Sequence, residues 1–245
     1  MKHLGILAHS VEGAALCLRA FCQEGFRELG PDDHPDVSLD LIAMARSMPA
    51  WDAGDHDPIR ATLGESVRRL AAAGADFFAC PDNTAHLALE RPGGDLPLPG
   101  LHIARVVADQ AARDGRARVG VLGTRYTMDG PVYPRELAAR GIAAEVPDAA
   151  DRDTVHRIIF DELVNGVFTD EIAARVRRGH RAARRTWVRR RRAGVHRDPA
   201  AGHARCVAAA DTGFHPPARP CRLRGGRRAA SSSGVARRAR RRFGR

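Results

Sequence analysis

The chain has 245 residues, with 40 lysines and arginines against 29 aspartates and glutamates, for a formal net charge of +11. This length suits one large domain or two small α/β lobes, and no stretch reaches the roughly 20 apolar residues that cross a membrane. The five cysteines lack metal-type spacing, which argues against a zinc site or a disulfide framework. Because the first residues also lack the apolar segment of a secretory signal, we expect a soluble, cytoplasmic protein.

The charge is divided unevenly along the chain. Residues 177–245 hold 22 arginines and two acids, a net charge of +20, which leaves 18 basic and 27 acidic residues for 1–176. The basic part is mostly arginine, alanine, glycine and proline, with very little leucine or isoleucine. We expect it to be disordered or to form poorly packed helix, because few apolar residues and much like charge cannot stabilise a core.

Apolar runs alternate with amphipathic segments in the first hundred residues. The predicted elements are, in order, a strand over 3–10, a helix over 13–29, a strand over 37–44, a long loop over 47–58, a helix over 59–73 and a strand over 75–80. Residues 92–100, rich in proline and glycine, form a second loop.

The alternation then repeats. We predict a helix over 104–114, a strand over 118–123, a helix over 131–140, a strand over 142–146 and a helix over 151–165, capped by Asp151 or Asp153. Strand–helix alternation predicts an α/β fold of two similar lobes, with parallel sheets flanked by helices and a cleft between the lobes. We place the first lobe at residues 1–100, a partial second lobe at 101–176 and the arginine-rich tail at 177–245.

Polar residues follow three of the predicted strands. Ser10, the run Asp82-Asn83-Thr84, and Thr124 stand where strands end, and ligands of open α/β sheets bind beyond the carboxyl ends of strands. Asn83 and Thr84 could bind a carboxylate, whereas Asp82 or Asn83 could equally serve as an ordinary helix N-cap. Spacing alone leaves both interpretations open.

Four segments, in chain order, resemble those of one family. Residues 5–10, Gly-Ile-Leu-Ala-His-Ser, are similar to its GILGGMS start, and Asn83-Thr84-Ala85-His86 matches its Cys-Asn-Thr-x-His signature. Residues 119–124 with Thr127 and Tyr133 look like its GLLGTxxT…Y segment, and 146–148 and 158–166 look like its P-D and I-x-x-E-L-x-x-G segments. Along most of residues 1–170 the chain therefore resembles the aspartate/glutamate racemase family.

The resemblance implies racemisation of a small amino acid without pyridoxal phosphate, any other cofactor or a metal. In that family two opposed thiols flank the α-carbon: one removes the α-proton, and the other returns a proton on the opposite face. The site must stabilise the developing carbanion and its carboxylate. Ser10, Asn83, Thr84, Thr124 and Thr127 would bind the substrate, and the relatives suggest a homodimer.

The first thiol position departs from the family pattern. Asp82 stands before Asn83 where a cysteine is expected, and Cys80 is displaced by two positions, about 6–7 Å along a strand. We favour Asp82 as the reactive residue, acting as a base if burial raises its pKa, with Cys80 as the alternative. Arg46 could bind a distal substrate carboxylate, although a solvated loop arginine is the plainer interpretation.

The second thiol motif, Cys-Thr-Glu, is missing, and the tail offers an explanation. Residues 195–201, Val-His-Arg-Asp-Pro-Ala-Ala, permit Cys-Thr-Glu-Ile-Pro-Leu-Leu when their codons are shifted by one nucleotide. The same shift turns residues 211–218 into a sequence resembling the family's closing segment. We hypothesise a one-nucleotide frame error between about residues 172 and 180, and therefore expect impaired activity.

Two alternatives to the racemase remain open. The chain could be another member of the superfamily, such as a hydantoin racemase or a decarboxylase with one reactive residue. It could also be a non-catalytic protein whose basic tail binds nucleic acid, since a +20 segment would bind phosphate backbones. The tail lacks a recognisable reading motif and interleaved aromatic residues, so we expect no specific nucleic-acid partner.

The frame hypothesis predicts particular codons. Val195, His196, Arg197 and Asp198 should be encoded by GTG, CAC, CGA and GAT, because these codons give Cys-Thr-Glu-Ile one nucleotide later. Sequencing the gene checks this, and other codons at these positions would refute the hypothesis.

Overall fold

An uninterrupted apolar run forms the central strand of the first sheet. In the computed structural model, which describes residues 1–178 and the strand 205–208, all five residues of β1, Leu4–Ala8, are buried. The side chains of β1 alternate between two clusters: Leu4, Ile6 and Ala8 pack under one helix, and Leu7 packs on the opposite face. A strand that is covered on both faces needs apolar residues at every position, which is why this segment does not alternate with polar ones.

The first sheet has the strand order β2-β1-β3-β4, and every pairing in it is parallel. Its other strands are β2 (Val37–Leu41), β3 (Phe77–Ala79) and β4 (Gly100–Leu101). The helices of this part are α1 (Val11–Leu29), α2 (Met48–Ala53), α3 (His56–Ala72) and α4 (Ala85–Leu89), with a 3₁₀ turn at Met44–Arg46. Helix α1 covers one face of the sheet, and α3 covers the other.

The second sheet has the order β6-β5-β7 and is also parallel. Its strands are β5 (Arg118–Leu122), β6 (Ala143–Glu145) and β7 (Arg205–Ala208). The helices are α5 (Ile103–Arg113), α6 (Arg125–Asp129), α7 (Val132–Ala138) and α8 (Ala149–Asp161), followed by a 3₁₀ turn at Leu163–Asn165 and by α9, which is described over 170–178. Helices α5 and α7 pack on one face, while α8 and Ile172 of α9 form the opposite cluster.

The predicted fold class is confirmed: parallel strands lie between helices in two sheets. The first sheet ends at Leu101 and the second begins at Arg118, on either side of α5. The division at residues 100 and 176 stays a prediction. Within the described residues, none of the helices is long and apolar enough to cross a membrane.

The prediction of a loop over residues 47–58 was wrong. This segment contains α2 and the first turn of α3. Its prolines, Pro49 and Pro58, were interpreted as loop residues, but both stand in the first turn of a helix, where the missing N–H costs no internal hydrogen bond. Asp55 then caps α3 by accepting the backbone N–H of Asp57.

The tail contains one strand that the sequence did not predict. Residues 205–208 form β7, which pairs with β5 in the register Val119↔Arg205 to Leu122↔Ala208. Its residues, Arg-Cys-Val-Ala, form too short an apolar run to stand out in an arginine-rich segment, and parallel pairing is made by their backbone groups. The rest of the tail prediction, disorder or poor packing and a nucleic-acid arm, concerns residues outside those that the structure describes.

The N-cap of α8 is Asp148, and not Asp151 or Asp153 as predicted. Its carboxylate accepts the backbone N–H of Asp151 at 3.0 Å. The helix begins at Ala149, two residues earlier than the apolar periodicity indicates, because the first turn of a helix can be exposed and polar.

The substitution Asp148→Ala should lower the free energy of unfolding by about 1 kcal/mol, because it removes the acceptor that caps α8. Urea unfolding followed by circular dichroism measures this. Asp148→Asn, which keeps the acceptor oxygen, is the matched control, and its free energy of unfolding should stay close to that of the parent. A larger loss from Asp153→Ala than from Asp148→Ala would contradict the assignment.

Candidate active site

The register of two neighbouring strands brings the first pair of polar side chains together. Strands β1 and β3 pair from Leu4↔Phe77 to Ile6↔Ala79, so partners differ by 73 positions. Continued past the strand ends, the same offset sets His9 opposite Asp82, and their side chains are hydrogen-bonded.

His9 and Asp82 form a buried pair. Nδ1 of His9 lies 2.8 Å from Oδ2 of Asp82, and the two side chains are 6% and 11% exposed. On the other side of the ring, Nε1 of Trp51 donates to Nε2 of His9 over a long 3.5 Å. Both contacts fit a neutral imidazole that carries its proton on Nδ1 and donates it to the carboxylate.

Asp82 is held in its ionised form. Burial alone would raise the pKa of this carboxyl group, but the hydrogen bonds that it accepts from His9 and from the backbone N–H of Ala85 outweigh burial, so the pKa lies below its ordinary value. The condition under which Asp82 was expected to act as a base, a pKa raised by burial, is therefore not met. Oδ1 of Asp82 accepts the backbone N–H of Ala85 at 3.2 Å, but the N-cap of α4 is Thr84, so neither Asp82 nor Asn83 is the N-cap that the spacing allowed.

Three threonine hydroxyls join the two lobes beside this pair. Oγ1 of Thr84, from the first lobe, lies 2.9 Å from Oγ1 of Thr124 and 3.4 Å from Oγ1 of Thr127, and the latter two are 3.2 Å apart. All three side chains are buried. The hydroxyls, here called the threonine cluster, can donate or accept, so they suit an anion as well as one another.

Asn83 also connects the lobes, but it does so inside the protein. The hydroxyl of Tyr133 donates to Oδ1 of Asn83, and both residues are buried. This contact joins Tyr133 of the second lobe to the Asn83-Thr84 run of the first, and both belong to the segments that resemble the family. Asn83 acts here as a support for the Thr84 loop and does not line the cleft.

A cleft of about 540 Å³, measured with its open mouth, lies over these groups. Its polar side is formed by His9, Ser10, Asp82, Thr84 and Thr124. Its other side, here called the apolar wall, consists of Met44, Met48, Trp51, Tyr126, Ile159, Phe160 and Val164. The structure thus brings Ser10, Asp82, Thr84 and Thr124 together, while Thr127 stands behind the two threonines that it contacts.

Cys80 lies in the hydrophobic core of the first lobe. It is 2% exposed, packs in the cluster that includes Leu7 and Ile59, and is not among the residues lining the cleft. Of the two candidates for the reactive residue, only Asp82 reaches the cleft.

His86 is packed and uncharged. Burial lowers its pKa to about 4, an effect only partly opposed by the carbonyl of Cys80, which lies 3.2 Å from Nε2. His86, which belongs to the family signature, therefore supports the Thr84 loop from inside the protein.

Several cleft residues were missed from the sequence. His9 stands next to Ser10 at the end of β1, a position that could have singled it out. Trp51 lay in the segment predicted as a loop, and Tyr126 lies in α6, which was not predicted. Arg46 pairs with Glu65 at 2.9 Å on the surface and does not line the cleft. In the described part of the chain, no group of three or more His, Cys, Asp or Glu side chains could hold a metal ion.

The family model for Asp/Glu/hydantoin racemases matches residues 21–188, more than half of the chain. The chain belongs to the Asp/Glu/hydantoin racemase family. The resemblance inferred from four short segments is thereby confirmed.

Individual relatives agree with this family. The chain is 28% identical to the broad specificity amino-acid racemase RacX of Bacillus subtilis over 111 residues, 45% of this chain and 44% of that protein. It thus matches less than half of that relative's length. A candidate Asp/Glu racemase from Yersinia pestis has a similar structure, with a TM-score of 0.66 and 29% identity over 76% of this chain and 82% of the other. An aspartate racemase homologue from Pyrococcus horikoshii shares the fold, with a TM-score of 0.59 and 24% identity over 68% of this chain and 74% of the other.

The buried His86 should make the racemase fold sensitive to mild acid. Its pKa is about 4 when folded against an ordinary 6.5, so the unfolded chain binds the extra proton and stability falls as the pH drops from about 6.5 toward 4. Between pH 7 and pH 5 this amounts to about 2 kcal/mol. Urea unfolding at both pH values should show this loss in the parent and a much smaller one in His86→Gln. Equal losses in both proteins would contradict it.

Proposed function

We propose that the chain is a cofactor-independent amino-acid racemase of the aspartate/glutamate type, in which the His9–Asp82 pair removes the α-proton. The observation that carries this proposal is the 2.8 Å hydrogen bond between His9 and Asp82 at the edge of the cleft. A hydrogen-bonded imidazole and carboxylate next to a set of hydroxyl groups can supply both a base and an anion site.

The substrate carboxylate would bind to the threonine cluster. Thr84 and Thr124 line the cleft and can redirect their hydroxyl protons toward an anion. Ser10 stands at the N-terminus of α1, and its hydroxyl makes no capping bond to that helix. Donors at the carboxylate stabilise the enediolate that forms when the α-proton leaves, and this is the main energetic demand of the reaction.

Within the pair, His9 would accept the proton and Asp82 would position it. Two donors, His9 and Ala85, hold the carboxylate oxygens of Asp82 and make it a weak base. The same carboxylate fixes the proton of His9 on Nδ1, so Nε2 would accept the α-proton once the long contact from Nε1 of Trp51 gives way to the substrate. Asp82 would then stabilise the imidazolium that forms. This assignment replaces direct proton removal by Asp82.

One base serves one face of the α-carbon. The family's second thiol is missing from this sequence, so a proton removed by His9 would return from the same side, by way of exchange with water. We therefore expect the chain to exchange the α-proton faster than it inverts the centre. Restoring the reading frame, and with it Cys-Thr-Glu, should bring the two rates together.

A hydantoin racemase is the second candidate, because the ring of a hydantoin is uncharged and the apolar wall carries no formal charge. Such an enzyme would use the same base. The exchange assay would test it with 5-substituted hydantoins in place of amino acids.

The pair can be tested by α-proton exchange in deuterated water, followed by proton NMR. His9→Gln should lower the exchange rate by about 10²–10⁴, because it removes the proton acceptor. Asp82→Asn should lower the rate over the same range and change its pH profile, because an amide can no longer fix the tautomer.

Cys80→Ala is the matched control and should keep exchange within about threefold, as its thiol lies in the core. Loss of exchange in Cys80→Ala with an intact fold would transfer the role to the thiol. Retained exchange in His9→Gln, together with loss in Asp82→Asn, would make Asp82 the base. No exchange with any amino acid or hydantoin, in the parent or in the frame-restored chain, would refute the proposed function.

A further inference from the structure

The apolar wall comes from both lobes and faces the polar side of the cleft. The first lobe contributes Met48 and Trp51 of α2, and the second contributes Tyr126 of α6 and Phe160 of α8. Met48 and Trp51 lie outside the segments that relate the chain to its family, and Tyr126 and Phe160 stand at variable positions within them. The family motifs therefore do not determine the identity of these four residues.

The aromatic side chains of the wall form a continuous series. The rings of Trp51 and Tyr126 lie 5.9 Å apart across the two lobes, and Tyr126 lies 6.1 Å from His156, whose ring is 4.8 Å from Phe160. Tilted and edge-on contacts at these distances are favourable between aromatic rings, and a further ring or a branched aliphatic group could join them.

The charges around the cleft disfavour a second carboxylate. Among the described residues, neither arginine nor lysine lines it, and Asp82 contributes a negative charge. Burial, together with the charge of Arg125, lowers the pKa of His156, which keeps that ring neutral. Arg125 pairs with Asp153 at 3.1 Å, and Arg46 pairs with Glu65.

We infer that the substrate's side chain is large and apolar, aromatic above all, and that it packs on the apolar wall while the α-carboxylate binds the threonine cluster. This inference rests on the proposed function for the position of the α-carbon. A side-chain carboxylate in the same place would lose its hydration without meeting a cation among the described residues, which is unfavourable. A phenyl ring would gain contacts on both lobes at once.

The test compares binding of phenylalanine, leucine, aspartate and glutamate to the whole chain by ligand-observed NMR titration, with α-proton exchange measured on the same samples. We expect phenylalanine and leucine to bind at least tenfold more tightly than the two acidic amino acids. Equal or tighter binding of aspartate or glutamate would overturn the inference, as would a lack of binding by all four.

Two variants test whether the apolar wall causes the preference for apolar amino acids. Phe160→Ala should weaken phenylalanine binding at least fivefold, whereas the control Phe26→Ala, which truncates an exposed ring on α1, should leave it unchanged. Met48→Arg places a cation on the wall and should shift the preference toward glutamate by tenfold or more. An unchanged preference in both Phe160→Ala and Met48→Arg, with folding verified by circular dichroism, would overturn the inference.

Failure of the inference and failure of the proposed function give different results. Tight phenylalanine binding without exchange in the parent or the frame-restored chain supports the apolar site and refutes the racemase. Exchange of the α-proton of aspartate without phenylalanine binding supports the racemase and refutes the apolar site.

Discussion

The parallel register of β1 and β3 determines where the chemistry of this protein can occur. Leu4 pairs with Phe77, and the constant offset of 73 residues carries through to His9 and Asp82. The two residues follow the carboxyl ends of neighbouring strands, so they lie at the same edge of the sheet and opposite one another. A slip of one residue would set Pro81 or Asn83 opposite His9, and neither could orient an imidazole with a carboxylate. Gly5 opposes such a slip, because a larger residue in its place would put its Cβ 3.1 Å from Leu70 and 3.2 Å from Ala75.

Much of the frame could be predicted from the sequence, because it follows from local patterns. The buried run of β1 and the periodicity of α3 extend over enough residues to be unambiguous. Short elements could not be found in this way: α4 and α6 have five residues each, and their formation depends on packing between the lobes. Strand β7 has only four residues, Arg205–Ala208, and its short apolar run was overlooked in the arginine-rich tail.

Four of the five polar residues that line the cleft were named from the sequence, whereas His9 and the apolar wall were missed. Ser10, Asp82, Thr84 and Thr124 were found because strand ends mark the cleft of an α/β fold. Trp51 and Phe160 look like ordinary core residues in the sequence, and only the tertiary structure brings them to one wall. The direction of the Asp82 pKa shift could not be predicted from the sequence either, since it depends on His9, a residue 73 positions away.

The threonine cluster has a consequence for how the two lobes move. The hydroxyl of Thr84 in the first lobe is hydrogen-bonded to those of Thr124 and Thr127 in the second, and these two bonds hold one lobe against the other. An anion that enters must take donors from these same bonds, and three single-bond rotations suffice to supply them, without any shift of the backbone. On the proposed function, a bound carboxylate would take these protons and would replace the direct contact between the lobes with itself as the bridge.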